Sequence, residues 1–322
     1  MDKCYLGLDI GGTKCAALLG KRREDGFEIL RRIQIPTLPE QGPQQTIDRL
    51  FTAAEEILAQ FPNCRPEAAG ISCGGPLNSA KGLVLSPPNL PGWDEIPITK
   101  LVTERFGIPA HLQNDANACA LAEWLFGAGR GCRDMVFLTF GTGLGAGLIL
   151  GGRLYDGVSG MAGEAGHIRL SRFGPVGYGK AGSFEGFCSG GGIAQLGKTV
   201  LTEQLQMGVH TPLAEKLDTL TTRDIADAAR AGDETAAEII RTSARYLGRG
   251  LAVLVDLLNP ARIVLGSIFV RCEDLFREEM EKTLRQEALA CSATDCAIVP
   301  AGLGEEIGDY ASLCVAAYGP RD

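Results

Sequence analysis

With 322 residues the chain has room for one large domain or two ordinary ones, and 45% hydrophobic against 22% charged residues is globular composition. A net charge of −8 with scattered Lys and Arg disfavours a nucleic-acid footprint, and no apolar run approaches the ~20 residues of a membrane span. Met1-Asp2-Lys3 leads straight into a strand pattern without a signal peptide, and the 11 cysteines include no C-x-x-C pair; both features predict a cytoplasmic protein with buried reduced thiols rather than disulfides or a metal cluster.

In chain order, the pattern predicts strands near 3–10, 14–20 and 27–35. A helix follows near 43–61, with Ile47, Leu50, Phe51, Ala54, Ile57 and Leu58 at helical spacing. Then come a strand over 68–73, a Gly/Pro-rich loop over 74–97, a short helix near 97–106, a strand over 110–113 and a helix from Asp115 to Phe126. Paired strands near 134–140 and 144–150 start the second part, followed by a glycine-rich stretch over 151–192. Helices are expected near 191–206, 222–231 and 233–258, the last with Asp233 as N-cap and a stop at Asn259-Pro260. A strand over 262–265, a helix near 272–288, a strand over 296–299 and a helix over 304–318 complete the chain. The order hairpin, strand, helix, strand, helix occurs twice, which predicts an α/β fold with mixed sheets and an internal duplication.

Two glycine-threonine turns carry most of the chemical information. Asp9-Ile10-Gly11-Gly12-Thr13-Lys14 and Gly141-Thr142-Gly143-Leu144-Gly145 each lie between apolar runs, as strand, tight turn, strand. Alone, Gly-Gly suits an ordinary hairpin. As a pair, one in each half, the turns point to a shared nucleotide, because backbone N–H groups in such turns cradle phosphate. Asn114-Asp115-Ala116-Asn117-Ala118 sits where a strand hands over to a helix. Asp115 there is either a helix cap or a carboxylate opening into the ligand crevice, able to take a proton from a hydroxyl. Gly163-Glu164-Ala165-Gly166-His167, with Glu185 downstream, is either a solvated loop or a set of hydroxyl-recognising groups. Asn89-Leu90-Pro91-Gly92-Trp93 is either a turn with a packed tryptophan or a sugar-contacting loop.

Together, and in this order along nearly the whole chain, these segments and Ile263-Val264-Leu265-Gly266 resemble the ROK (repressor, open reading frame, kinase) family of bacterial sugar kinases. The resemblance implies a duplicated actin-like and hexokinase-like (ribonuclease H-like) fold, with two α/β lobes and a central cleft for ATP and sugar. The lobes would be 1–114 and 115–303, with the last helix, within 304–322, returning to the first. By the same resemblance Asp115 is the catalytic base, and Asn114, Glu164, His167 and Glu185 are sugar ligands, with Gly75 and Asn89 as helpers. Gly11, Gly12, Thr13, Lys14, Thr142, Gly143 and Gly266 would surround the nucleotide, and Asp9 would lie near Mg2+, through water. A homodimer is also implied.

Two departures stand out. Many family members bind a structural zinc through three cysteines and the His of the G-E-x-G-H segment. Alignment on Glu185 places Val176, Tyr178 and Ser183 at those cysteine positions, so zinc is expected to be absent. Gly266 is followed by Ser267 instead of a second glycine, which alters the adenosine side. The expected activity is that of an ATP-dependent hexose kinase for glucose or a close relative, and no single residue selects among hexoses. A non-catalytic sugar sensor or regulator is the alternative. Retention of Asp115 and both turns argues against the sensor, and a first strand near residue 3 leaves no room for a regulator's helix-turn-helix segment.

Overall fold

The computed structural model describes residues 3–319. The first half contains β1 (Cys4–Ile10), β2 (Lys14–Arg23), β3 (Gly26–Pro36), α1 (Gly42–Gln60), β4 (Pro66–Cys73), the short ribbon β5 (Leu77–Asn78) and β6 (Leu83–Val84), α2 (Ile98–Phe106) and β7 (Ala110–Asn114). Helix α3 (Asp115–Phe126) leads to β8 (Met135–Phe140), β9 (Leu144–Leu150) and β10 (Arg153–Leu154). The glycine-rich stretch holds β11 (Val176–Gly177), β12 (Lys180–Ala181) and α4 (Phe184–Cys188). Then follow α5 (Gly190–Gln206), α6 (Thr222–Arg230), α7 (Glu234–Leu258), β13 (Arg262–Leu265), α8 (Ile268–Glu287), α9 (Ala290–Asp295), β14 (Ala297–Pro300) and α10 (Ile307–Tyr318).

The duplication is explicit in the sheets. One has the order β3-β2-β1-β4-β7, the other β10-β9-β8-β13-β14. In each, the first hairpin pairs antiparallel and the two later strands add parallel. The apolar stripe of α1 packs on the first sheet, with Ile47, Leu50, Ala54 and Ile57 buried. Helices α5 to α8 enclose a second core around β8, β9 and β13. Asp233 caps α7 as expected, accepting from Ala236 N–H at 3.0 Å, and Asn259 ends it in the left-handed conformation. Residues 320–322 of the expected last helix lie outside the described residues. Among the described residues no helix is long and apolar enough to cross a membrane.

Between the two sheets run α10 and α3, packed on each other. Helix α10 lies on β1 and β4, where glycines make room: a Cβ on Gly70 would stand 2.0 Å from Ser312 O. Helix α3 lies on β8 and β9, and a Cβ on Gly147 would stand 2.4 Å from Ala120 Cβ and 2.6 Å from Ala116 O. The far end of α3 is tied by Glu123, a fully buried carboxylate that accepts from Ala128, Gly302 and Leu303 N–H. Buried acceptors of this kind are satisfied by backbone donors where a loop must hold a fixed path.

Three expectations need correction. Cys4 and Cys64 form a disulfide with Cα atoms 6.1 Å apart, so the thiols are not all reduced. Cys4 opens β1 and Cys64 follows α1, a juxtaposition created by the sheet–helix packing and invisible in the spacing. Helix α8 starts at Ile268, four residues earlier than expected, and non-helical angles at Cys272 (φ −128°) mark a kink where the shorter helix was read. The last helical segment begins with a 3-10 turn, Gly304–Glu306, before α10.

The tight contact at Gly147 gives a stability prediction. Gly147→Ala overpacks the α3–β9 contact and should cost about 1–3 kcal/mol, read by urea unfolding. Unchanged stability would mean that α3 is free to shift.

Candidate functional site

Both hairpin turns open on one cleft of about 670 Å³. In the first turn Gly11 N–H donates to Lys14 O at 3.1 Å; in the second Gly141 N–H donates to Gly143 O at 3.0 Å. Gly12, Thr13, Thr142 and Gly143 line the cleft. Gly12 must lack a side chain, because a Cβ there would stand 2.5 Å from Asn89 Cβ. Asn89 itself lines the cleft, while Trp93 of the same loop is buried in the core as the packed-turn reading expected.

The switch from β7 to α3 places Asn114 and Asp115 at the cleft floor. The helix cap is Asn114: its side chain accepts from Ala116 N–H at 3.0 Å, with extended backbone at φ −61°, ψ 144°. Asp115 is the first helical residue, and one of its oxygens accepts from the same N–H at 2.8 Å. Enclosure by protein raises its carboxyl above the usual range, and the Ala116 N–H opposes this. The side chain opens to the cleft, so solvent moderates the shift. Gly75 abuts the cap, since a Cβ on it would stand 3.1 Å from Asn114 Nδ2.

The opposite wall is residues 163–167, laid against β9. A Cβ on Gly163 or Gly166 would stand 2.2 Å from Ala146 O or 2.1 Å from Leu144 O, respectively. The two glycines therefore let the chain run along the strand while Glu164 and His167 face the cleft. Glu185, in the first turn of α4, accepts from Leu144 N–H at 3.0 Å. One of its oxygens thus fastens this side of the cleft to the end of the second turn. Burial raises the Glu164 carboxyl; His167 lowers it, and Asp115 and Glu185 raise it further. Three carboxylates and an imidazole therefore share one field.

Four expected site residues do not line the cleft. Gly11 forms the turn from beneath and Lys14 starts β2. Gly266 ends β13 against Phe137, and its N–H donates to Leu138 O, while the neighbouring Ser267 (φ 51°) reaches the cleft. Asp9 sits under the first turn on β1, paired with Ala16 and Ser72. Burial, with Asp115 and Asp309, raises its carboxyl to about 7, against Arg32 and Lys14. Thr139, Tyr178 and Ser267 also line the cleft. Sequence reasoning flagged Tyr178 and Ser267 only as departures and missed Thr139, which nothing distinguishes from a strand threonine.

Asp9 and Asp115 are the carboxylates that would hold a divalent cation, and among the described residues no cluster of three or more His, Cys, Asp or Glu is gathered for a metal ion. Asp9 and Asp115 are close enough for each other's charge to matter, and a cation relieves such repulsion. Zinc does not fit the loop over 171–186. Ser183 caps α4 by accepting from Gly186 N–H at 3.0 Å, Tyr178 stands edge-on to His167 at 6.2 Å, and Val176 offers no donor atom. The loop is held instead by Lys180 Nζ on His167 O, Arg169 on Ala181 O, and Val176 N–H on Gln195 Oε1. Cys188 is buried, its thiol against Ser243 O.

Two sheets of one topology, each opening its hairpin turn on a common cleft, define the hexokinase-like class of duplicated α/β folds. The chain belongs to the ROK family, whose profile matches residues 5–314. It is 32% identical over 313 residues to a glucokinase of Halalkalibacterium halodurans, covering 95% of this chain and 93% of that protein. It is 35% identical over 263 residues to an N-acetylmannosamine kinase of Shigella boydii, covering 81% of each. Among solved structures, a ROK family glucokinase from Streptomyces griseus in complex with glucose and AMPPNP superposes with a TM-score of 0.78 at 32% identity, covering 98% of this chain and 100% of that one.

Two measurements check this description. Folded, the Asp9 carboxyl titrates at about 7, against 3.8 unfolded. Between those values the folded state keeps a proton that the unfolded chain has lost, so stability falls as pH rises through that window. Asp9→Asn removes this loss. In chelator-treated protein its stability relative to wild type should grow from pH ~4 to ~7, by at most about 1.4 kcal/mol per pH unit. A flat difference contradicts the assignment. Separately, elemental analysis should find no stoichiometric zinc, and about one tightly held zinc per chain would mean that other thiols have supplied the ligands.

Proposed function

We propose that the chain is an ATP-dependent kinase of a hexose, with glucose or a close relative as acceptor. The observation that carries this reading is the position of Asp115, at the floor of a cleft that both glycine-threonine turns and the Glu164–His167–Glu185 wall share. Glucokinase relatives over nearly the whole chain support it. The N-acetylmannosamine kinase relative makes an N-acetylated hexosamine the competing acceptor.

In this mechanism the turn N–H groups and threonine hydroxyls of Gly12-Thr13 and Thr142-Gly143 hold the ATP phosphates. Asp9, through water, and Asp115 would hold a magnesium ion, which would supply positive charge to the phosphates. Glu164, His167 and the free oxygen of Glu185 fix the sugar ring through its hydroxyls, so that its primary hydroxyl points at the γ-phosphorus. Asp115 accepts the proton of that hydroxyl as it attacks. Its carboxyl must be ionised to do so, and its raised pKa places the acid limb of activity above the ordinary carboxylate range. Residues 1–114 and 115–303, read as two lobes, close over the substrates and exclude water as a competing acceptor.

The test is ADP release across a panel of hexoses and N-acetylhexosamines. Turnover should require magnesium and rise with one or a few sugars. Asp115→Asn should lower kcat about 10²-fold or more with little change in stability, since Asn114 provides the cap. Measurable sugar binding without turnover from any sugar would favour the sensor reading instead.

A further inference from the structure

The segment between β10 and Glu164 is a loop, over 155–163, that apart from its last residue, Gly163, no motif described above includes. It closes on itself, with Ala162 N–H donating to Asp156 O at 3.0 Å, and it returns to β9 where Ala146 N–H donates to Gly163 O at 3.0 Å. Its tip is open, with Val158 fully exposed, while Gly160, Met161 and Ala162 line the cleft next to Glu164. The loop belongs to the second sheet. One of its side chains, Asp156, reaches to β7 of the first sheet and to the start of α3.

The Asp156 carboxylate accepts from Gln113 Nε2 at 3.3 and 3.4 Å and from Asn117 Nδ2 at 3.1 Å. Gln113 and Asn117 are 6% and 1% exposed, so these are buried amides committed to one loop carboxylate. Gln113 Oε1 in turn accepts from Asn114 N–H at 2.8 Å, Asn117 Nδ2 at 3.2 Å and Ser79 Oγ at 3.3 Å. One network thus joins the loop that leads to Glu164 with the backbone that presents Asn114 and Asp115. Hydrogen bonds to a charged acceptor are the stronger kind, and they fix relative position as well as adding stability; here the two donors are buried and the Asp156 acceptor is half-buried.

We propose that Asp156 is a positioning residue for the sugar. Through Gln113 and Asn117 it latches the loop over 155–163, and hence Glu164, against the cap that carries Asn114 and Asp115. It sets the separation of the two walls between which the sugar ring sits. The proposal rests on the sugar-kinase reading for its substrate, but the latch exists in the ligand-free protein.

The donor pattern allows a direct test by exchange of partners. Asp156→Ala removes the acceptor. Asp156→Asn removes the charge and turns one of the two acceptor oxygens into a donor facing the amides of Gln113 and Asn117, and Gln113→Glu sets two carboxylates against each other. The double variant Gln113→Glu/Asp156→Asn restores a donor–acceptor pair with the roles reversed. With glucose as the acceptor, Asp156→Ala should raise the sugar KM about tenfold, the scale of one charge-assisted hydrogen bond, and leave the ATP KM within about twofold. Each single exchange should also raise the sugar KM, and the double variant should recover most of the loss. Amide hydrogen exchange of residues 157–164 in the ligand-free protein should quicken in Asp156→Ala and slow again in the double variant. A merely structural role predicts lower stability with an unchanged sugar KM, and that result overturns the proposal. So does a double variant as impaired as the worse single one. If wild-type protein turns over no sugar, the kinase reading falls, and unchanged amide exchange in Asp156→Ala then overturns the latch on its own.

Discussion

The site depends on how closely α3 lies on β9. At Gly147 the helix backbone rests directly on the strand, with no space for even a methyl group. Two residues earlier, a Cβ on Gly145 would stand 3.2 Å from Ala116 Cβ. This close approach determines the height of the helix start, and therefore of Asp115, relative to the turn that follows β8. Interiors pack like crystals, so a helix in such contact has one position and not a range. Glu123 fixes the other end by taking three backbone N–H groups from two loops. A carboxylate pinned in this way is pre-organised: its position is determined by packing before any substrate arrives.

The same reasoning joins the two sides of the cleft. Gly163 and Gly166 let the segment over 163–167 lie on β9, the strand that also forms one arm of the turn over 141–143. Glu185 then binds the first N–H beyond that turn. Glu164, His167 and Glu185, assigned to the sugar, and Thr142-Gly143, assigned to the phosphates, are therefore fastened to one strand, and a shift of one carries the other. In a phosphoryl transfer, where alignment of acceptor and phosphorus matters more than covalent chemistry by the protein, such coupling is the useful property.

Much of this was legible in the sequence because it rests on local patterns. The two glycine-threonine turns, the strand-to-helix switch at Asn114-Asp115 and the paired glycines around Glu164 each need a particular residue type at a particular step of the chain. The repeated order of elements followed from the hydrophobic pattern and the turn residues between runs. What was not legible depends on residues distant in sequence. The Cys4–Cys64 disulfide joins a strand start to a loop 60 residues away. Asp156 meets Gln113 and Asn117 only because the loop after β10 folds back over the cleft, and nothing in Tyr155-Asp156-Gly157 distinguishes that carboxylate from a solvated one. Gly266 and Ser267 show the limit of reading by type: the glycine serves packing against Phe137, and the serine beside it reaches the cleft. The division of labour between Asn114 as cap and Asp115 as open carboxylate also required coordinates, because both residue types cap helices well.

The central claim is that Asp115 stands where the acceptor hydroxyl meets the transferred phosphoryl group. A crystal structure of Asp115→Asn with glucose, magnesium and ATP tests it most directly, since the variant should bind both substrates and hold them unreacted. The account predicts the sugar's primary hydroxyl within hydrogen-bond distance of residue 115, the ring against Glu164, His167 and Glu185, and the phosphates between the two glycine-threonine turns. A sugar bound with its primary hydroxyl turned away from residue 115, or a nucleotide lying outside those turns, would contradict it.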